Sequence, residues 1–495
     1  MHQVLPSAPS APATAPWPTF APAGAALVAL TLLAGCAAPP TVTRPPTTGL
    51  PAAFGATPAP AAAFDEPWWR ALGDAPLQAL VAEAGERNLD WRIAVTRVEQ
   101  ARAGASAAAS RLAPMLALNA GASDQRSGLP DEVKRGSPDT RALRASVDLG
   151  WELDLFGAAR AARAAAAFDA DAAAEGARAA RLLAAAETAR QYVVWQGARL
   201  RLAQVQELLR TQAETEGLTR SREAAGQASR FDVARAAAET RALAAQLPPL
   251  RTLVASTEHQ IALLLGRPAS APLDALPRAQ AAALPEVPAL APGQPAELLL
   301  RRPDLRAAER QLAAEDARLR EARADRLPKF FLAALLGRQD LRLNGLDLSP
   351  VGYRNVALAF AWPLFDAGRL QAGEERAAAR ARGATLQLER TWLAALQEVE
   401  SSLVALAEER ERAAPLDALR EERAAALRHA ESLRREGQID LLQLLDAQRG
   451  RIAAELAWTE HRTQLALNGL QLYRALGGGW SLDAPPATRV SEVRP

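Results

Sequence analysis

One segment of this chain occurs twice. Val147-Asp148-Leu149-Gly150-Trp151-Glu152-Leu153-Asp154-Leu155-Phe156-Gly157-Ala158-Ala159-Arg160 aligns without a gap to Val356-Ala357-Leu358-Ala359-Phe360-Ala361-Trp362-Pro363-Leu364-Phe365-Asp366-Ala367-Gly368-Arg369. Upstream, Asp90, Ala94 and Pro114 match Asp304, Ala308 and Pro328; downstream, Gly226-Gln227 matches Gly437-Gln438. The separation stays near ~210 residues, so the features keep their order through a duplicated half. Whatever unit one half builds, the other must build again.

Each half opens with an expected helix, 77–111 in one and 296–326 in the other. The second begins Arg301-Arg302-Pro303-Asp304, with Pro suited to a first turn and Asp to the positive helix end. Two strand-like segments around a polar loop follow. In 143–153, Leu143, Ala145, Val147, Leu149, Trp151 and Leu153 share one face; in 356–364, Val356, Leu358, Phe360, Trp362 and Leu364 do. Their expected partners are 115–125 and 329–339, with loops at 126–141 and 340–353. Long Ala/Leu/Arg/Glu-rich helical stretches then run over 158–266 and 367–476, each broken near Gly226 or Gly437. Arms of about 50 residues reach ~75 Å, longer than a globular core needs, so each stretch is expected to be a helical hairpin projecting away from the strands. The two structural repeats are placed at 67–280 and 281–480.

Alternating strands of ~9–11 residues have the length and pattern of transmembrane β-strands, polar residues toward water and apolar ones toward lipid. Trp151, Phe360 and Trp362 are then candidates for an aromatic girdle. Taken alone, the strands also fit an ordinary antiparallel sheet with one wet face. In a membrane, four strands cannot close a barrel and an open edge is not tolerated. Several copies must then share one barrel; the pattern leaves their number open.

The single cysteine excludes an internal disulfide and a multi-thiolate metal site. It ends the apolar run 25–33, which is too short to span a bilayer. Leu33-Ala34-Gly35-Cys36 resembles the bacterial lipobox, which implies a signal peptide over 1–35, a lipid on Cys36 and an acylated tether over 36–66. Residues 1–20 hold no Lys or Arg, a departure from the usual basic start of such a peptide. Ala37 after the cysteine implies sorting to the outer membrane. Residues 481–495 are expected to form a flexible C-terminal tail.

The net charge of +2 is spread along the chain with no basic block, which speaks against nucleic acid as a partner. His259, His429 and His461 stand singly in helical stretches with no adjacent carboxylate motif, and His2 precedes them all. Gly477-Gly478-Gly479 follows one helix and precedes none, so it reads as a stop and not as a phosphate loop. Neither an enzyme nor a cofactor beyond the lipid on Cys36 is expected.

The ordered set Pro67-Trp68-Trp69, Asn88-Leu89-Asp90, Trp151-Glu152-Leu153-Asp154-Leu155-Phe156-Gly157, Arg301-Arg302-Pro303-Asp304-Leu305-Arg306, Trp362-Pro363-Leu364-Phe365-Asp366-Ala367-Gly368, Leu444-Leu445-Asp446-Ala447-Gln448-Arg449 and Ala475-Leu476-Gly477-Gly478-Gly479-Trp480 resembles the TolC superfamily of outer-membrane efflux proteins, in its NodT/OprM-like lipoprotein branch. The resemblance implies a mixed α/β membrane protein: a homotrimer whose twelve-stranded transmembrane β-barrel, four strands per chain, continues into a periplasmic α-helical barrel. It implies docking of the helical tips, at Gly226, Gln227, Gly437 and Gln438, on a periplasmic adaptor coupled to an inner-membrane pump of the RND type. It also implies a periplasmic gate of inward carboxylates, matched here by Asp232 and Asp446. Arg434 and Ile439 stand where relatives often carry other gating side chains, so the closure network does not transfer intact. The implied function is passive conduction of small molecules. An exit duct for type I protein secretion shares this architecture, and a pore-free periplasmic coiled-coil scaffold would account for the helices but not for the strands.

Overall fold

The computed structural model describes residues 68–126, 139–276, 301–343 and 346–478, with 128, 130, 284 and 285. Cys36, the 1–35 segment, the 36–66 tether, Pro67, residues 296–300, Gly479, Trp480 and the 481–495 tail lie outside the described residues.

The first expected helix is two helices that follow the short α1 (Trp68–Ala71): α2 (Ala75–Arg87) and α3 (Leu89–Ser110). Asn88 separates them, leaving helical geometry at φ −56°, ψ 129°. Its side chain accepts from the Trp91 N–H at 3.0 Å and donates to the Leu264 carbonyl at 3.0 Å. A short polar residue that caps one helix and ties down another makes a break where apolar spacing alone suggested continuity. In the second half, Arg302 is extended and Pro303 opens α6 (Pro303–Ala324), as expected from the Pro-Asp pair.

Strands β1 (Met115–Gln125), β2 (Thr140–Leu153), β3 (Lys329–Leu343) and β4 (Leu346–Ala361) form one antiparallel sheet in the order β1-β2-β3-β4. The β2–β3 ladder, from Thr140↔Leu343 to Leu153↔Phe330, joins the two halves. The loop expected at 340–353 is mostly strand. Past an irregularity between Gln339 and Leu341, the ladder resumes through Leu341↔Leu348 and Leu343↔Leu346. Alternating charges there, Arg342 with Asp347, still follow a strand period, and polarity alone concealed it. At its other end β4 stops at Ala361, short of the expected 364, because Pro363 has no N–H for a ladder. Trp362 and Leu364 lie beyond the strand.

The helical hairpins have unequal arms, not two of about 50 residues. α4 (Ala158–Ala224) has 67 residues and spans ~100 Å; its return arm α5 (Arg230–Leu264) has 35. In the second half the long arm is divided at Arg412 into α7 (Arg369–Glu411) and α8 (Ala413–Arg435), followed by the 35-residue α9 (Leu441–Ala475). Pro415 is the cause: its ring opposes the carbonyl four residues back and removes a helical hydrogen bond. The Arg412 backbone stays right-handed, so the arm bends without ending. In the first half Pro248-Pro249 lie inside the return arm, and α5 continues through them.

Both return arms end in the same joint. Gly266 (φ +66°) follows α5 and Gly477 (φ +92°) follows α9. Each is the left-handed residue of a Schellman turn, closed by Arg267 N to Ala262 O at 2.8 Å and by Gly478 N to Tyr473 O at 3.1 Å. Against these turns sit the N-caps of α3 and α6: Asn88 binds the Leu264 carbonyl, and the Arg302 guanidinium binds the Ala475 carbonyl at 2.7 Å. Arg302 also pairs with Glu398 at 2.9 Å, which Arg474 engages at 2.6 Å. A buried core of Trp68, Leu77, Tyr192, Trp195, Ile261 and Tyr473 surrounds the first joint; Leu305, Val399 and Leu472 fill the second.

Two outcomes follow from these joints. A Cβ on Gly266 would stand 2.8 Å from the Arg87 carbonyl oxygen, whereas one on Gly226, at similar positive φ, would meet nothing within 4 Å. Gly226→Ala is therefore expected to cost about 1 kcal/mol and Gly266→Ala at least about twice that in thermal or denaturant unfolding. Burial raises the Glu398 carboxyl, but hydrogen bonds from Arg474 and Arg302 outweigh it and hold it below its ordinary value. Its contribution is complete above the unfolded value of about 4.3 and is lost as pH falls through the lower folded value. Stability measured between pH 6 and pH 3 should fall less steeply in Glu398→Gln, which lacks this titration.

Candidate functional site: a two-faced sheet and paired helical tips

Pairing register assigns every strand residue to a face. One face carries the rows Leu116–Leu149–Ala334–Val356, Trp151–Leu332–Leu358 and Leu153–Phe330–Phe360. Leu118, Val147 and Leu143 continue it. Many of these side chains are bare, Leu118 being 76% exposed, Val356 75% and Phe360 69%, while Leu149, Trp151 and Leu332 are half-buried. The opposite face carries Asn119, Ser146, Asp148, Glu152 and Asn355, with Asn119 donating to Asp148 at 2.6 Å and Lys329 pairing with Glu152 at 3.5 Å. Such a continuous, largely bare apolar face on a structured sheet marks contact with lipid or with a partner. Toward the end remote from the helices, the apolar face turns charged. There Asp124 pairs with Arg141 at 2.8 Å and Arg342 with Asp347.

The expected girdle lies at the helical end of the sheet. Trp151 is half-buried and donates from its indole N–H to the Leu112 carbonyl at 3.1 Å; Trp362 donates to the Arg326 carbonyl at 3.2 Å. Phe360 is exposed and stands 6.2 Å from Phe330. The two indole bonds make Trp362 the counterpart of Trp151, a role the gapless alignment gave to Phe360. The ladders agree: Met115 faces Gly150, and Lys329 faces Ala361. Leu364, assigned to the strand face by alternation, and Phe365, which no period organised, lie instead at the strand-to-helix junction, 82% and 89% exposed.

At the far ends of the hairpins the two tips are built alike. Gly226 (φ +72°) and Gly437 (φ +74°) close Schellman turns through Gln227 N to Arg222 O at 2.7 Å and Gln438 N to Leu433 O at 2.9 Å. Two residues after each Gln, a capping box starts the return arm: Ser229 with Asp232, and Asp440 with Gln443. Gln227 and Gln438 are exposed, the latter donating to Glu436 at 3.0 Å. Phe231, 65% exposed beside the first tip, was not singled out from sequence.

The two gate candidates differ in setting. Asp232 is committed to its cap, accepting from Ser229 N at 3.0 Å and Ser229 Oγ at 2.7 Å. Those bonds hold its carboxyl below the ordinary value, with Arg235 and Arg434 acting in the same direction. Arg434 also donates to the Ile439 carbonyl at 2.9 Å, bracing the second tip. Asp446 is exposed on α9 and has no ion pair or hydrogen bond among the described residues. Asp232 and Asp446 are not repeat equivalents: Gln443 occupies the capping position of Asp232.

His461 is not solitary. It is fully buried on α9, with Nδ1 2.7 Å from Glu409 on α7, which also accepts from Arg412. The carboxylate comes from another helix, so no local motif announces it. Among the described residues, no cluster of His, Cys, Asp and Glu is able to hold a metal, and no helix is long and apolar enough to cross a membrane.

The sequence profile of a family described as outer membrane efflux protein matches residues 80–267 and 295–478, one block in each half. The chain is 32% identical to the outer membrane protein OprJ of Pseudomonas aeruginosa, over 92% of this chain and 95% of that one. It is 31% identical to the pyoverdine export outer membrane protein OpmQ of Pseudomonas putida, over 92% and 97%. Its fold superimposes on the solved outer-membrane channel OprN with a TM-score of 0.80 at 33% identity, covering 88% of this chain and 98% of that one. By name, one of these relatives is an export protein of the outer membrane and another an outer-membrane channel. The duplicated hairpin-and-helix plan, the two-faced sheet and these matches together place the chain in the outer membrane efflux protein family, as an outer-membrane channel subunit.

Proposed function

We propose that three copies of this chain close one twelve-stranded barrel in the outer membrane and conduct small molecules outward through a periplasmic helical tunnel. The observation that carries this reading is the sheet: one face bare and apolar, the other polar, with long edges at β1 and β4. In hydrocarbon such edges require partners. Copies of the same chain supply them. The tips at Gly226-Gln227 and Gly437-Gln438, with Phe231 beside the first, dock a periplasmic adaptor coupled to an RND-type inner-membrane pump, which supplies the energy. Cys36 carries a lipid that tethers a protein already held by its barrel. The gate falls to Asp446, whose carboxylate has no partner among the described residues; three of them around one axis would repel each other, hold cations and narrow the path. Asp232 holds the shape of the first tip beside it.

Planar-bilayer recording tests the reading. Purified trimers should give discrete conductance steps, and Asp446→Ala should raise them. A protein that inserts yet conducts nothing would leave a scaffold as the better account, and unchanged conductance in Asp446→Ala would remove the gate. Cys36→Ser, exported behind a cleavable signal, should lose acylation and still form trimers. Failure to assemble would make the lipid a requirement and not a tether.

A further inference from the structure

We infer that the seam between copies is fixed by an ion pair from Arg354 on β4 of one copy to Asp124 on β1 of the next. The inference rests on the three-copy barrel and specifies the surface that builds it.

The chain already contains one junction of this kind. Where β2 of the first half meets β3 of the second, Trp151 lies opposite Leu332, Ala145 opposite Arg338 and Leu143 opposite Asp340. The structure repeats these strands. β1 stands in for β3, Met115 taking the place of Lys329, so Asp124 takes that of Arg338. β4 stands in for β2, Trp362 taking the place of Trp151 by the shared indole bond, so Arg354 takes that of Leu143. A β4–β1 seam copying the β2–β3 junction therefore sets Arg354 on the diagonal from Asp124 of the next copy, ~7–8 Å between strands and within reach of an arginine.

Charge bears on the same placement: this register also sets Arg126 of the next copy directly opposite Arg354, and Asp124, 3.7 Å from Arg126, is the carboxylate able to lie between the two guanidiniums. Arg338 and Arg354 lie on the apolar face, and neither has an ion pair or hydrogen bond among the described residues. Arg338 has Asp340 two residues along its own strand; Arg354 has Leu336 opposite and Val356 beside it. On an edge strand in an apolar face, an unpaired guanidinium is expensive unless a carboxylate arrives from outside. Asp124 lies on the other edge, on the same face, and already accepts from Arg141 across the β1–β2 ladder, with Arg126 at 3.7 Å. Its carboxylate has further lone pairs to offer. Closing the seam produces a row of Arg141, Asp124 and Arg354 across three strands and two copies. A slide of two residues in one direction keeps the pair in contact; in the other it sets Asp124 beyond Arg354's neighbour Val356.

Seams of this kind join unlike edges and generate a ring, whereas β1–β1 or β4–β4 pairing would stop at a dimer. Cysteines test this directly, because the wild-type chain has a single cysteine, Cys36, and sets the background. Full-length Arg354→Cys/Asp124→Cys protein in detergent, treated with a bis-thiosulfonate linker of about 8 Å, should give a ladder ending at covalent trimer, and neither single variant should. A cross-linked dimer from either single variant overturns the seam. So does an intact trimer in which the double variant does not link. A chain that is monomeric sinks the three-copy barrel itself, so the two failures are separable. As a second readout, Arg354→Gln and Asp124→Asn should each lower the temperature at which trimers dissociate in dodecyl sulfate, and combined they should lower it less than the sum. Strict additivity would overturn the pair.

Discussion

A peptide group in hydrocarbon has no water to bind, and this one constraint organises the molecule. Four strands leave two edges of unpaired N–H and C=O groups beside a face of bare Leu, Val and Phe. Neither edge is tolerable in lipid, and neither can be satisfied within the chain, because the order β1-β2-β3-β4 puts them at opposite margins of the sheet. The sheet is therefore one part of something larger. Its function as a conduit begins with that incompleteness: a chain able to close its own barrel on four strands would enclose no usable lumen.

The duplication then reduces the number of distinct problems. One joint, a left-handed glycine after the return arm with the side chain of the next helix's N-cap residue bound to a terminal carbonyl, is used at both Gly266 and Gly477. One turn, a Schellman glycine followed by a capping box, is used at both tips. The chemistry of each copy differs where it need not be the same. Asn88 binds its carbonyl as a neutral amide, while Arg302 brings a charge and therefore recruits Glu398 and Arg474. The prolines differ in place too: Pro248-Pro249 lie within a continuous return arm, and Pro415 lies on an outgoing arm that is divided beside it.

Much of this was legible in the sequence because period and spacing are local properties. β1 was expected at 115–125 and is found there; the outward set Phe330, Leu332, Ala334 and Leu336 follows from alternation alone. The tip glycines followed from breaks in long apolar stripes. What escaped had a non-local cause. Asn88 breaks a helix because a carbonyl 176 residues away is waiting for its amide. The charged ends of β3 and β4 looked like loop because their partners are each other. The gapless alignment matched Trp151 to Phe360, yet the hydrogen bonds match it to Trp362, since a backbone carbonyl and not a letter decides which indole docks. Asp232 is the local exception: it drew notice as the match to a gate carboxylate, and the Ser229-Arg230-Phe231-Asp232 pattern of a capping box was passed over.

The outgoing arm occupies 67 residues in the first half, and α7, Arg412 and α8 occupy the same length at 369–435 in the second. Both are clamped at one end by the sheet and at the other by a glycine tip, so this length behaves as a ruler. One inserted residue would lift a tip by ~1.5 Å and turn everything beyond it by ~100°. The return arm would then have to grow by the same amount to meet its joint, and so would both arms of the other half. Changes in tunnel length are thus confined to matched insertions in four places, in steps close to whole numbers of helical turns. The distance from sheet to tip is a quantity that point mutation cannot tune, and the two tips of one chain are held at one height.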